Sequence, residues 1–107
     1  MQQHLNFYID GAWVPAQGAR TQDVIDPFTE QPVARIALGD ARDLDRAVAA
    51  ARRAFPAWAA QGREQRLAVL QAVIAAYEAR MDAIAMAVSL EMGAPLTLAR
   101  QAHAVAG

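Results

Sequence analysis

The chain lacks two residue types on which much enzyme chemistry depends. It has 107 residues, no cysteine and no lysine, so that all ten basic residues are arginine. Without cysteine, these residues can form no disulfide framework, thiolate metal site or thiol nucleophile. Without lysine, they can form no Schiff base and offer no lysine to bind phosphate. Any nucleophile within this chain would have to be a hydroxyl or a carboxylate.

The other residues that could carry chemistry are few and far apart. Ser89 is the single serine; it falls in a predicted helix with no histidine near it in sequence, and a serine nucleophile needs an adjacent base. His4 and His103 have no partners at the spacing of metal ligands. No glycine-rich phosphate loop is present. A small hydrolase or metal enzyme therefore has no supporting constellation, and we expect that these three side chains do not converge.

Charge and hydropathy exclude two further classes of partner. The net charge is −1 and the pI is about 6.0, which gives no electrostatic footprint for nucleic acid or an anionic membrane. The most apolar stretch, residues 67–92, is interrupted by charged side chains and does not read as a membrane span. The first ten residues lack the basic and apolar regions of a signal peptide. We expect a cytoplasmic protein with no nucleic-acid or membrane partner.

The first third of the chain has β signals. In FYIDGAWV, Asp10-Gly11 is a favoured two-residue type I′ turn, which predicts a hairpin that places Tyr8 opposite Trp13. This aromatic pair is more simply hairpin packing than a ligand platform. Val24-Ile25 is a short strand candidate, and PVARIAL alternates well enough to be its antiparallel partner. We therefore predict antiparallel β-hairpins over residues 6–38.

Helix signals dominate from residue 40 to residue 107. Asp40 is a good N-cap with Asp43 three residues later, as in a capping box, and Pro56 is expected to end that helix. Trp58 is then expected in a short turn that fills the core.

Two more helices are predicted between residues 63 and 92, divided near residues 80–82 because Asp82 could act as an N-cap. Gly93 fits a left-handed helix end, and Pro95 fits the first turn of a further helix. The predicted fold class is α+β, with a β-rich part at residues 1–39 and a helical array at residues 40–107.

The order of these segments resembles the N-terminal quarter of aldehyde dehydrogenases over about residues 6–107. The segments are FYIDGAWV, VIDPFTEQPVARIALGDARDLDRAVAAARRAFPAWA and REQRLAVLQAVIAAYEARMDAIAMAVSLEMGAPLTLA. Family members share a hairpin of the form F-I-D/N-G-x-W, an N-P turn, a Gly-Asp-capped helix and an E-x-G-x-P segment. Asp26 departs from the usual asparagine, and Gln61-Gly62 departs from the usual helix entry.

The resemblance implies a parent protein with an α/β, Rossmann-like coenzyme domain, of which this chain would be the N-terminal part. The parent would oxidise an aldehyde to a carboxylic acid through a cysteine thioester, with NAD or NADP as hydride acceptor. The motifs that carry the catalytic cysteine, the catalytic glutamate and the cofactor contacts are absent from this sequence. We therefore expect no catalytic residue, no cofactor-binding residue and no activity in this segment alone.

The resemblance also suggests two minor sites. The carbonyl of Ile25 and the side chain of Glu91 match positions that hold an alkali cation in some members, and residues from His103 to Gly107 match a stretch near the substrate entrance. The expected partners are the remainder of the aldehyde dehydrogenase chain and further copies in a homo-oligomer. The alternative is a stand-alone helical self-association module, or a truncated gene product without enzymatic activity.

Overall fold

A computed structural model describes residues 1–103 and, apart from His103, their side chains. The strands are β1 (Gln2–His4), β2 (Asn6–Ile9), β3 (Ala12–Pro15), β4 (Thr21–Ile25) and β5 (Pro32–Ala37). The helices are α1 (Ala41–Ala59), α2 (Arg63–Glu78), α3 (Met81–Met92) and α4 (Leu96–Leu98), followed by a π-helix (Ala99–His103). This arrangement confirms the α+β fold class.

The chain divides into two compact units, which are described separately. Unit 1 contains Met1–Val24 and Pro32–Gln61, and therefore the hairpin, most of the sheet and α1. Unit 2 contains Ile25–Gln31 and the chain from Gly62 onward. Unit 2 thus combines one turn from the β-rich part with α2, α3 and α4.

The predicted hairpin forms with the predicted register. Tyr8 pairs with Trp13 across β2 and β3, and their rings meet edge to face with centroids 5.4 Å apart. Asp10 and Gly11 have φ angles of 57° and 78°, as a type I′ turn requires at both central positions. Tyr8 and Trp13 are 63% and 70% exposed, and β2 contacts α1.

The second sheet has the order β1-β5-β4. The Leu38 N–H donates to the Arg20 carbonyl at 2.9 Å, and Arg35 Nε donates to Asp23 Oδ1 at 2.6 Å. From the first contact to the second, the residue number rises along β4, from 20 to 23, and falls along β5, from 38 to 35. The two strands are therefore antiparallel, as predicted. β1 was not predicted: it pairs with β5 in parallel and places His4 opposite Ile36.

The start of α1 is fixed by a complete capping box. The Asp40 carboxylate accepts hydrogen bonds from the backbone N–H groups of Arg42 and Asp43, and the Asp43 carboxylate accepts one from Asp40. The Asp43 carboxylate also accepts the Gln17 N–H at 3.1 Å, so it joins the helix to the loop after the hairpin. Asp43 is only 4% exposed. Together with Arg42, whose side chain donates to the Gln17 carbonyl at 2.9 Å, it anchors α1 to the loop after β3.

Two carboxylates of unit 1 have pKa values below the ordinary value for aspartate. For Asp23 the main cause is the hydrogen bond from the Arg35 side chain. For Asp40 it is the hydrogen bond from the Arg42 side chain. A carboxylate whose pKa is lower in the folded state than in the unfolded state stabilises the fold above its unfolded pKa, and this contribution is lost as the pH falls.

Unit 1 is therefore expected to lose stability as the pH falls below about 4, the ordinary pKa of aspartate. Replacing Asp23 and Asp40 together with asparagine should flatten this acid dependence, because it removes the two carboxylates whose pKa values the Arg35 and Arg42 side chains lower. Urea unfolding followed through the fluorescence of Trp13 and Trp58, which both lie in unit 1, measures the effect. An acid dependence as steep in the double variant as in the unchanged chain would contradict the assignment.

The prediction that Pro56 ends α1 is wrong. The helix continues to Ala59, and the Ala60 N–H donates to the Pro56 carbonyl at 3.1 Å. A proline inside a helix removes one hydrogen bond and crowds the preceding turn. Pro56 lies on an exposed stretch, where solvent can reach the carbonyl left without its helical partner. Trp58 is therefore a helical residue, 38% exposed, and not part of a turn.

The helices of unit 2 follow the predicted order with small shifts at their ends. α2 ends at Glu78, and α3 begins at Met81 with Arg80 as its N-cap. Asp82, the predicted N-cap, lies instead in the first turn of α3. Gly93 has a φ angle of 73° and ends α3 in the left-handed conformation, as predicted. Pro95 stands one residue before α4, as its N-cap.

Few apolar side chains are buried within the described residues. The buried apolar residues are Ala50, Ala85 and Ala99, and no large side chain is fully buried. Ile84, Val88 and Leu96 pack around Ala85 and Ala99. None of the helices described is both long and apolar enough to cross a membrane. The large apolar side chains of α2 are therefore mostly exposed, as are Met86, Leu90 and Met92 of α3.

Candidate functional site

One tightly held corner in unit 2 contains the residues that the sequence suggested for a cation site. It consists of the turn Ile25–Gln31 and residues 89–96, and is called the turn–cap corner below. Asp26 braces the turn: its carboxylate accepts the Phe28 N–H at 2.8 Å and the Thr29 hydroxyl at 3.1 Å. The Asp26 N–H donates to the Gln31 carbonyl at 3.0 Å, and the Asp26 carbonyl accepts the Glu30 N–H at 2.8 Å. These hydrogen bonds hold the turn in its conformation.

The other side of the corner is the end of α3. A Cβ atom built on Gly93 would lie 2.9 Å from Cγ of Pro27, which is closer than real Cβ atoms approach. The Ser89 hydroxyl donates to the Ala94 carbonyl at 2.7 Å, so it holds the chain as it leaves the helix. This bond supports a structural role for Ser89.

Gly93→Ala is expected to destabilise unit 2 by about 2 kcal/mol or more, because alanine is strained at positive φ and its methyl group would strike Pro27. Gly11→Ala is the matched control, since Gly11 also has positive φ but a methyl group there would meet nothing within 4 Å. Thermal unfolding followed by circular dichroism measures both. Equal losses in the two variants would show that the contact with Pro27 has no energetic effect.

The corner brings together the chain segments that hold the two cation candidates. Ile25 and Glu91 each stand two residues before the point where Pro27 meets Gly93. Ile25 ends β4 and is 46% exposed, and Glu91 is exposed near the end of α3. Among the side chains that the structure describes, which are those of residues 1–102, there is no group of three or more histidine, aspartate or glutamate residues that could hold a metal ion.

The remaining candidates are His4, His103 and Gly107. His4 is exposed in β1, and its ring nitrogen Nε2 lies 3.3 Å from the Gln2 side-chain oxygen. The backbone of His103 ends the π-helix, but its side chain and the whole of Gly107 are outside the described residues. The expectation that His4, Ser89 and His103 do not converge therefore stays a prediction, as does the placement of His103 and Gly107 at a substrate entrance.

Two apolar surface depressions accompany these features. The turn–cap corner borders a groove of about 350 Å³ lined by Phe28, Met86, Leu90 and Leu96. Phe28 is 90% exposed. The sequence did not identify it as part of a surface groove, although an aromatic residue directly after Pro27 in a turn was a signal for one.

In unit 1, a cleft of about 720 Å³ lies between β2 and the start of α1. The acidic groups that line this cleft, Asp40 and Asp43, are engaged in the capping box. The groove at the turn–cap corner is also lined by Ser89 and Asp26, but the Ser89 hydroxyl donates to the Ala94 carbonyl and the Asp26 carboxylate accepts from Phe28 and Thr29. The structure therefore shows no hydrogen bond between a nucleophile and a base in either depression.

Both depressions are lined mainly by apolar side chains. A sequence profile described as the aldehyde dehydrogenase family matches residues 13–106. The chain therefore belongs to the aldehyde dehydrogenase family, as the resemblance had indicated.

Individual relatives agree over almost the whole chain. A 3-succinoylsemialdehyde-pyridine dehydrogenase from a Pseudomonas species is 48% identical over 100% of this chain and 23% of its own length. A crystal structure of an aldehyde dehydrogenase from Bartonella henselae superposes with a TM-score of 0.95 and 37% identity, over 98% of this chain and 22% of that one.

A third relative, aldehyde dehydrogenase C from Pseudomonas syringae, was solved with NAD⁺ and octanal. It has a TM-score of 0.91 and 41% identity, over 94% of this chain and 21% of that one. The chain thus spans less than a quarter of the length of the relatives it matches.

Proposed function

We propose that the chain forms the N-terminal segment of the coenzyme-binding domain of an NAD(P)-dependent aldehyde dehydrogenase, which oxidises an aldehyde to a carboxylic acid. The main support is the match to the Bartonella henselae enzyme, which extends over 98% of this chain with a TM-score of 0.95. A second support is the Pseudomonas syringae relative, whose structure was solved with NAD⁺ and octanal.

The chemistry of this reaction would lie in the rest of the subunit. A cysteine is needed for the thioester, and this chain has none. Ser89 bonds to the Ala94 carbonyl, and Asp40 and Asp43 are occupied in capping. The segment would therefore supply structure, and alone it would be inactive. NAD or NADP would be bound by the remainder of the enzyme.

A chimera tests this proposal. The matching residues of the Pseudomonas 3-succinoylsemialdehyde-pyridine dehydrogenase are replaced by this chain of 107 residues, and formation of NADH from its aldehyde is measured. We expect a rate within about tenfold of the unchanged relative, because core changes that conserve volume and pattern are tolerated. A folded, soluble chimera that does not oxidise the aldehyde would overturn the proposal. So would turnover of any aldehyde by the isolated chain.

We also propose that the Ile25 carbonyl and the Glu91 carboxylate bind an alkali cation at the turn–cap corner. Both are oxygen donors, as hard cations prefer, and the contact between Pro27 and Gly93 brings their segments together. The melting temperature of the chimera should rise when sodium or potassium replaces tetramethylammonium, and Glu91→Gln should remove that rise. An equal rise in the variant would count against the site.

Three further proposals rest on the resemblance. The stretch from His103 to Gly107 would lie near the substrate entrance, so His103→Trp should raise the KM of the chimera for bulky aldehydes more than for small ones. An equal rise in the KM for bulky and for small aldehydes would contradict this placement.

The assembled enzyme would be a cytoplasmic homo-oligomer, and the mass of the chimera in solution tests the oligomeric state.

One observation favours the alternative of a self-association module: the exposure of large apolar side chains on α2 and α3. Exposed apolar patches mark surfaces that bind other proteins. If the isolated chain forms a defined oligomer with cooperative unfolding while the chimera fails to oxidise the aldehyde, the alternative holds and the enzyme proposal does not.

A further inference from the structure

Helix α2 is unusual because it has no buried residue along its whole length. Its large apolar side chains are strongly exposed, with values of 41% for Leu67, 54% for Leu70, 59% for Val73 and 57% for Ile74. A helix in a soluble protein normally hides its apolar stripe against other structure. Within unit 2, as described up to residue 103, α2 finds no such cover.

The apolar residues of α2 form two faces and not one. Face A consists of Leu67, Leu70, Ile74 and Tyr77, and face B of Val69, Val73 and Ala76. At 3.6 residues per turn the centres of the two faces lie about 110° apart around the helix axis. Beyond the first turn, the polar residues are Gln71 and Glu78, which lie in line with Glu64 of the first turn; these three residues are called the polar line below.

A helix of this pattern is suited to the interior of a larger structure. One flat contact could cover face A or face B, but not both, because their directions differ by more than a right angle. Alanines 68, 72 and 75 fill the arc between face B and the polar line, and small side chains there allow close approach of another element. Beyond the first turn, which also carries Arg63, Gln65 and Arg66, the polar line is the part of α2 that is chemically suited to water.

A second copy of this chain is a poor candidate for covering both faces. A two-fold dimer buries the same patch on each partner, so a contact through face A leaves face B exposed. The relatives, in contrast, contain a much longer polypeptide, since the chain matches only 23% of the Pseudomonas enzyme. That remainder is large enough to pack around a helix from two directions.

We propose that α2 is an internal helix of the assembled aldehyde dehydrogenase subunit, with faces A and B both covered by the part of the subunit outside these 107 residues and with the polar line and the first turn in solvent. This inference rests on the proposed function for the identity of the covering polypeptide. It goes beyond that function in assigning the contact to two faces of one helix.

The absence of cysteine from the chain allows a direct test. Val73→Cys, Ile74→Cys and Gln71→Cys are made one at a time, in the isolated chain and in the chimera. The rate of maleimide labelling is followed through the mass of the peptide that contains α2, which separates it from other cysteines of the chimera. In the chimera, labelling at residues 73 and 74 should slow by about 100-fold or more, because it must await local opening. Labelling at residue 71 should be unchanged.

The outcomes separate this inference from the proposed function. Fast labelling at residue 73 or residue 74 in a chimera that oxidises aldehyde would overturn the inference and leave the function intact. Slow labelling at both in a chimera without activity would support the inference and count against the function. Slow labelling at both in the isolated chain would also overturn it, because copies of the chain would then be sufficient cover.

Discussion

Asp43→Ala is expected to lower the free energy of unfolding of unit 1 by about 3 kcal/mol, the sum expected for a lost helix cap and a lost charged hydrogen bond. The Asp43 carboxylate accepts the N–H groups of Gln17 and Asp40, and it is 4% exposed. Alanine leaves both donors without an acceptor at a site that water reaches poorly. Urea unfolding followed through tryptophan fluorescence measures the loss.

Two variants act as controls for Asp43→Ala. Asp43→Asn retains one acceptor oxygen and should lose about half as much stability, because one of the two backbone bonds can remain. Asp45→Ala, two residues along the same helix at an exposed position, should change the free energy of unfolding by less than about 0.5 kcal/mol. If Asp43→Ala were no more harmful than Asp45→Ala, the role of Asp43 as the anchor of α1 would be wrong.

Val73→Asp and Ile74→Asp are each expected to abolish assembly of an active chimera, which is the second large effect. In the assembled subunit, each carboxylate would be buried without a partner, at a cost of several kcal/mol. The yield of soluble, active chimera should therefore fall at least about 100-fold, since each 1.4 kcal/mol is a factor of ten. The measurement is the aldehyde-dependent rate of NADH formation per mass of soluble protein.

The same changes should be almost neutral in the isolated chain, where Val73 and Ile74 are already exposed. Gln71→Asp in the chimera is the matched control, because residue 71 lies on the polar line of the same helix. It should retain the activity of the unsubstituted chimera. Equal loss of activity in all three variants would indicate a general weakening of α2, and retention in all three would show that neither face is covered.

Features set by a few neighbouring residues were predictable from the sequence. The turn at Asp10-Gly11 follows from the positive φ angles that this pair tolerates. The cap at Asp40 follows from short-range hydrogen bonding between a side chain and the next turn of backbone. Gly93 follows from its freedom to adopt the left-handed conformation. Each of these depends on contacts within four residues, so one sequence is enough to identify it.

The helix across Pro56 was not predictable from the local rule. The residue before a proline disfavours the helical conformation, yet α1 continues for three residues beyond Pro56. The alanines around Pro56 favour helix, and the hydrogen bond from Ala60 to the Pro56 carbonyl closes the next turn. The balance between one lost hydrogen bond and the gain from continuing the helix cannot be read from the proline alone.

Contacts between distant residues were the hardest to predict. β1 has the sequence QQH, without an apolar alternation, and it is held through backbone pairing with β5 about thirty residues away. The close approach of Pro27 to Gly93 is equally non-local, so the turn–cap corner could be suggested only through resemblance to a family. Long-range pairing carries little local sequence signal because any residue can supply the backbone groups.

The role of the chain as a structural segment of a dehydrogenase is tested most directly by NAD⁺ reduction in a mixture of two polypeptides. One is this 107-residue chain, and the other is the Pseudomonas relative without its matching residues. We expect that neither reduces NAD⁺ with the aldehyde alone and that an equimolar mixture does, because the second polypeptide covers both faces of α2 and brings the catalytic groups. Activity of the isolated chain would contradict this role. The role would also be contradicted if the mixture were soluble but did not reduce NAD⁺ under conditions in which the chimera is active.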